Sequence, residues 1–153
     1  MHICFVCTGN ICRSPMAALV FGAHLERAGL ADRVRVTSAG TGSWHVGEPA
    51  DPRTAKVLAD HGYPTEHVAA QVGADHLDAD LLVAMDAGHD RALRRLVDDH
   101  DRVRLLRSFD PAAADLDVPD PYYGGRQGFA DVLAMVEAAV PGLLGWVRAR
   151  LAH

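Results

Sequence analysis

A chain of 153 residues, 49% of them hydrophobic, has the length and apolar content for one core, and residues 1–153 are read as a single domain. Its formal charge of −5 argues against a nucleic-acid partner, and its three cysteines, all within the first twelve residues, exclude a disulfide framework and offer no metal-ligand spacing. No apolar run approaches the roughly 18 residues of a membrane span and the N-terminus lacks a basic stretch before a long apolar one, so no membrane association and a cytoplasmic location are expected.

In chain order, His2-Ile3-Cys4-Phe5-Val6 is a short apolar strand, and Pro15 opens a helix through Met16, Leu19 and Phe21 that ends near Ala28-Gly29. Arg33 to Ser38 alternates as a second strand, and the Gly pair in Ala39-Gly40-Thr41-Gly42 turns it into a loop that carries Trp44. Asp51 and Pro52 supply the N-cap and first position of a helix reaching about Asp60-His61-Gly62. Tyr63 to Ala69 reads as extended, Asp75 to Leu77 as a short helical turn, and Ala79 to Met85 as a buried strand ended by Asp86. A helix from Asp90 to Val97 and a fourth strand from Val103 to Leu106 follow. A long loop from Arg107 to about Gly125, punctuated by Pro111, Pro119 and Pro121, gives way to helix near Arg126-Gln127-Gly128-Phe129, and the last helix spans about Phe129 to Arg150, bent at Pro141-Gly142. The apolar face of that helix, Val132, Met135, Val136, Leu143, Leu144 and Val147, is expected to pack on the sheet. Alternating strands and helices predict a three-layer α/β sandwich of flavodoxin-like type, with a four-stranded parallel sheet in order 2-1-3-4. In such a sheet the ligand crevice lies at the carboxyl ends of the strands, which brings Ser38 near the loop after the first strand.

That loop is Val6-Cys7-Thr8-Gly9-Asn10-Ile11-Cys12-Arg13-Ser14-Pro15. A strand-to-helix turn aims successive backbone N–H groups and the positive end of the helix dipole at one point, a ready cradle for an anion. The residues between Cys7 and Arg13, namely Thr8, Gly9, Asn10, Ile11 and Cys12, suffice to wrap amides around a tetrahedral dianion while Arg13 clamps two of its oxygens with a planar fork. The Cys7 sulfur then faces phosphorus. Helix N-termini and neighbouring cations favour thiolates, and the Ser14 hydroxyl is placed to donate a hydrogen bond to that sulfur. Cys4, in mid-strand, reads as a small buried hydrophobe. An NTP-binding loop is excluded because the Gly-x4-Gly-Lys-Ser/Thr pattern is missing.

Cys7 through Pro15, Ser38-Ala39-Gly40-Thr41 and Asp120-Pro121-Tyr122-Tyr123-Gly124 stand in the order and at the separations of the low-molecular-weight protein tyrosine phosphatases. The chain resembles the bacterial members, of actinobacterial type, from about residue 2 to about residue 150. The resemblance implies hydrolysis of phosphate monoesters through a phosphocysteine, with Cys7 as nucleophile, Arg13 and the loop amides stabilising the equatorial oxygens, and Asp120 as general acid and then base. Pro121 confines Asp120 to extended backbone and so aims its carboxylate, whereas Asp-Pro on its own would read as a simple turn. The resemblance also implies that Ser38 and His67 hydrogen-bond Asn10 and hold the loop in a strained form; His67 alone would read as a surface histidine. Neither a metal nor a cofactor is needed, because Arg13 and the amides supply the charge stabilisation that two-metal phosphatases draw from cations.

Trp44 lies among Gly42, Ser43, His45 and Gly47, a segment too polar and flexible for core, which favours a pocket wall. In the similar family an aromatic residue at this place flanks the substrate's ring. With Ile11 and with Tyr122 and Tyr123, which read as walls or as partly core, it suits an aryl phosphate. Phosphotyrosine-containing proteins are the expected substrates, inorganic phosphate the product, and a monomer the expected state. Similar phosphatases that act on phosphoarginine tend to carry Thr where Ile11 stands, which favours tyrosine. Arsenate reductases share fold and loop but relay oxidation through downstream cysteines, and this chain has none after Cys12. A silent phosphotyrosine-binding module would keep Arg13 yet need neither Cys7 nor Asp120. Cys12 reads either as filler beneath the loop or as a thiol able to trap oxidised Cys7.

Overall fold

Strand β1 (His2–Cys7) sends Ile3, Phe5 and Cys7 to one side and Cys4 and Val6 to the other, and all are buried. A strand apolar on both faces needs cover on both, which a parallel sheet between two helical layers provides. In the computed structural model, which describes residues 1–152, that is the architecture; His153, the last residue of the expected domain, lies outside them. The other strands are β2 (Arg35–Gly40), β3 (Leu81–Ala84) and β4 (Val103–Leu105), all parallel, in the order β2-β1-β3-β4. Helices α1 (Arg13–Arg27), α2 (Pro52–Asp60) and α5 (Arg126–Leu151) belong to the core on the Phe5 side. The short α3 (Ala74–Leu77) and α4 (Ala87–Arg94) close the Val6 side. β1 is interior, and the chain departs in opposite directions on either side of it, so the crevice opens between the carboxyl ends of β1 and β3.

Two departures from the sequence expectation bear on the crevice. β2 continues through Ala39 and Gly40, which pairs with Cys7, instead of ending in a glycine loop. A Cβ on Gly40 would lie 2.6 Å from the Thr8 carbonyl oxygen, so the bare Cα is what lets the loop after β1 rest on the end of β2. α4 begins three residues before the expected Asp90, because the Asp86 side chain accepts the His89 N–H at 3.0 Å and caps the helix there. α5 starts at Arg126, where helix was expected to resume, and it runs on through Pro141.

α5 meets α1, α2 and the 3₁₀ turn at Leu106–Phe109 more than the strands themselves. By length and composition it is the one helix among the described residues long and apolar enough to cross a membrane, but Phe129, Val132, Val136, Leu143 and Val147 on its inner face are core residues. Uninterrupted apolar runs do not reveal such a helix, since its charges sit singly on the outer face.

Gly142 faces the 3₁₀ turn, and a Cβ there would run into the Phe109 carbonyl. Helix propensity favours Ala over Gly by about 1 kcal/mol, but overpacking against backbone costs roughly 1–3 kcal/mol. Gly142→Ala is therefore expected to lower stability by up to about 2 kcal/mol, read as a lower urea midpoint. A raised midpoint would show that the turn yields.

Candidate active site

Asn10 is the pivot of the loop after β1. Its φ of 59° makes it the only non-glycine residue with positive φ among the described residues, and it is fully buried. Asn tolerates the left-handed region better than most residues, but the conformation still needs support. The side-chain amide donates to Ser14 Oγ at 2.8 Å and to Ser38 Oγ at 3.0 Å. Its Oδ1 accepts the Ala70 N–H at 2.9 Å, and its backbone carbonyl accepts from His67 Nε2 at 2.6 Å. That last bond puts the His67 proton on Nε2. Burial draws the imidazole below its ordinary value, against the opposite pull of the carbonyl, so it donates as a neutral ring. Because Ser14 Oγ already accepts from Asn10, its own proton is free for Cys7 Sγ, 2.9 Å away.

Capping chemistry differs among the helices around the crevice. Asp51 caps α2, accepting the Arg53 N–H at 2.8 Å, and Asp86 caps α4. At the head of α1 stands Cys12, with no side-chain cap and no acidic residue in the first turn. Its leading N–H groups and dipole are thus directed to an external anion.

Arg13, the first residue of α1, is buried and held from behind. Nη1 donates to Asp86 Oδ2 at 2.9 Å and to the Val118 carbonyl at 2.9 Å, while Nη2 lies 3.8 Å from Asp120 Oδ2. Burial resists charge on Asp86, but the His89 N–H and the Arg13 guanidinium outweigh it and keep the carboxyl below the usual range. The His89 ring shares a hydrogen bond of 2.8 Å with Thr8 Oγ1 through Nε2, and its Nδ1 is 3.1 Å from Asp86 Oδ1 without the alignment of a hydrogen bond. Burial pushes this imidazole down to about 4 despite the carboxylate, so it is neutral near pH 7.

The loop from Arg107 to Gly125 folds over the crevice, anchored by Val118 N–H on the Met85 carbonyl and by Ala87 N–H on Asp117 Oδ1. It brings Asp120, Tyr122 and Tyr123 to a cleft of about 460 Å³ whose other walls are Cys7, Thr8, Gly9, Ile11, Cys12, Arg13, Trp44 and His45. Trp44 is 74% exposed and Tyr123 91%, so neither belongs to the core; Tyr122, 40% exposed, meets Tyr123 edge to face at 5.0 Å. The reading of the two tyrosines as partly core does not hold. All three rings form an open rim above a narrow floor. A larger groove, about 690 Å³, runs along α1 and β2 behind the loop and reaches Ser38 and His67, but contains no nucleophile or free guanidinium of the cleft.

Of the residues singled out by sequence, the side chains of Asn10, Ser14, Ser38 and His67 thus brace the loop from the side away from the cleft, and the others line the cleft. Cys12 is a free, buried thiol, pushed up to about 12 by burial and by the nearby Asp51 carboxylate. Sequence reasoning missed Asp86, His89, His45 and Arg53. Asp86 carried a signal, since it stands at the carboxyl end of a buried parallel strand and immediately before a helix. The other three have partners distant in sequence or belong to a loop whose course only the fold defines.

A family model described as low molecular weight phosphotyrosine protein phosphatase matches residues 2–153. The chain is 60% identical over 155 residues to low molecular weight protein-tyrosine phosphatase A of Mycobacterium tuberculosis, covering 100% of this chain and 95% of that one. It is 63% identical over 153 residues to a low molecular weight protein-tyrosine-phosphatase of Streptomyces coelicolor, covering 96% and 93%. A crystal structure of protein tyrosine phosphatase from Entamoeba histolytica superposes with a TM-score of 0.93 at 32% identity, covering 97% of each chain. With the loop, its bracing residues and the cleft in one place, and with matches of this extent, the chain belongs to the low molecular weight phosphotyrosine protein phosphatase family.

Proposed function

We propose that this protein-tyrosine phosphatase acts as a single domain over residues 1–153, working as a monomer in the cytoplasm, and that Cys7, Arg13 and Asp120 carry its chemistry. The observation that carries the reading is the Cys7 sulfur set 2.9 Å from the Ser14 hydroxyl, beneath an uncapped helix N-terminus and in the same cleft as a buried arginine. The loop amides take up the phosphate oxygens, and Arg13, whose hydrogen bonds to protein all leave from Nη1, offers Nε and Nη2 to two of them. Cys7 thiolate attacks phosphorus in line. The S–P bond forms as the P–O bond to the phenol breaks, and Asp120 in its acid form gives its proton to the departing oxygen. In the second step Asp120 carboxylate takes a proton from water as the water oxygen attacks phosphorus. The S–P bond breaks, inorganic phosphate leaves, and Ser14 stabilises the returning thiolate by a hydrogen bond. No metal or cofactor enters this sequence of steps.

The rim supports phosphotyrosine in proteins as the substrate. Trp44, Tyr122 and Tyr123 stand around the mouth while Ile11 closes the wall below, a shape that takes a flat ring end-on. Ile11 in place of a hydroxyl residue also suits an aryl ester better than a guanidinium phosphate.

Cys7→Ser is expected to abolish turnover while binding of inorganic phosphate persists; steady-state hydrolysis within about tenfold of wild type would remove the phosphocysteine. Arg13→Lys is expected to fail in the same assay, since a point charge cannot replace a fork.

Asp120→Ala is expected to cost about 10²–10⁴-fold in kcat/KM on phosphotyrosine, with the loss shrinking as the leaving phenol becomes more acidic. A loss that is equal across a series of aryl phosphates would show that Asp120 serves the loop and not the proton.

Trp44→Ala is expected to raise KM for aryl phosphates by about 2–10-fold, the equivalent of an aromatic contact worth roughly 0.5–1.5 kcal/mol. Unchanged KM values would place the ring outside the bound complex.

A further inference from the structure

Asp120 stands on an exposed loop, yet a general acid has to be held to about 0.5 Å to work. Its carboxylate makes one hydrogen bond, Oδ1 accepting the Tyr122 N–H at 3.0 Å, besides the longer approach of Oδ2 to Arg13. The Tyr122 residue is therefore the platform for the acid. Its carbonyl accepts from Arg53 Nη1 at 3.0 Å. Arg53 is itself gripped through its other edge, Nε donating to Asp51 Oδ1 at 3.0 Å and Nη2 to Asp51 Oδ2 at 2.9 Å. The Asp51 N–H in turn donates to the Ile11 carbonyl of the phosphate loop at 2.8 Å. Over the same guanidinium lie the rings of Tyr122, at 5.2 Å, and Phe129, at 4.6 Å. One planar cation thus links the loop that holds the nucleophile to the loop that holds the acid.

We propose that Arg53 is a positioning residue of the phosphatase reaction, fixing Tyr122, and through it the Asp120 carboxyl group, at a set distance from the phosphate loop. The proposal rests on Asp120 acting as the general acid. It also explains why an arginine is required: two donors are committed to the Asp51 fork and a third, on the opposite corner, reaches Tyr122, an arrangement a lysine cannot reproduce. The Arg53 side chain is 38% exposed but the Asp51 carboxylate it grips is only 7% exposed, so removing the cation costs stability as well, and the dependence on leaving group is the readout that a loss of stability alone does not produce. Asp51 keeps its bond to the residue 53 backbone N–H in any variant, so the cap of α2 survives.

The experiment measures kcat/KM for phosphotyrosine and for aryl phosphates with increasingly acidic phenols, using Arg53→Met, Arg53→Gln, Asp120→Ala and the Arg53→Met/Asp120→Ala pair. Inhibition by inorganic phosphate and the thermal midpoint are recorded for each. Arg53→Met is expected to lose about 10–10²-fold on phosphotyrosine and less than about threefold on 4-nitrophenyl phosphate, with phosphate inhibition unchanged. In the Asp120→Ala background it is expected to cost nothing further, because both changes remove one function. Arg53→Gln repeats the test should the Met variant not fold. A loss uniform across leaving groups, a loss that adds to that of Asp120→Ala, or no loss would overturn the tether. If Asp120→Ala shows the leaving-group dependence and the Arg53 variants do not, the acid stands and the tether falls. If Asp120→Ala itself loses uniformly, the acid assignment fails and takes the tether with it.

Discussion

The left-handed backbone of Asn10 is the constraint on which the site depends. A loop that turns back on itself to gather amides around one point must place a residue at positive φ, and a side chain there needs compensating bonds. Asn10 receives them from three directions: Ser14 on α1, Ser38 on β2, and the His67–Ala70 segment beyond β2. The same amide that anchors the turn also occupies the Ser14 oxygen and so frees the Ser14 proton for the Cys7 sulfur. Backbone geometry and the environment of the thiol are thereby set by one side chain. Gly40 completes the support, since only a bare Cα admits the Thr8 carbonyl at the end of β2.

Around that loop, charge is arranged locally against the overall balance of the chain. The net charge is −5, yet the cleft is organised by two arginines, each fixed by an aspartate and each reaching a carbonyl of the loop between β4 and α5. Arg13 is fixed by Asp86 and reaches Val118; Arg53 is fixed by Asp51 and reaches Tyr122. Both aspartates also cap helices, so a single carboxylate satisfies orphan N–H groups and orients a guanidinium. Planar forks with several fixed donors suit this double duty, in keeping with a basic complement that is almost entirely arginine, Lys56 being the only lysine. Orientation of this kind, made before a substrate arrives, is what electrostatic stabilisation of a phosphoryl group requires.

Local chemistry made much of this legible in the residues themselves. The apolar runs of β1 and β3, the alternation from Arg33 to Ser38 and the cap-and-proline pair Asp51-Pro52 are short-range patterns, and they determined the strand and helix sequence and hence the parallel sheet. The anion cradle was equally local, because the spacing of Cys7 and Arg13 across a strand-to-helix turn is itself the geometry of a tetrahedral ligand. Tertiary structure alone decided what stands behind and beside that cradle. Asp86, His89 and Arg53 find their partners across the switch point, at sequence separations of 73, 81 and 69 residues. The packing of α5 against α1, α2 and the 3₁₀ turn, where the sheet was expected, was likewise settled by the fold. Pattern in a sequence reports what a residue does to its neighbours in the chain; the bonds that brace this site join residues that only the folded sheet makes neighbours.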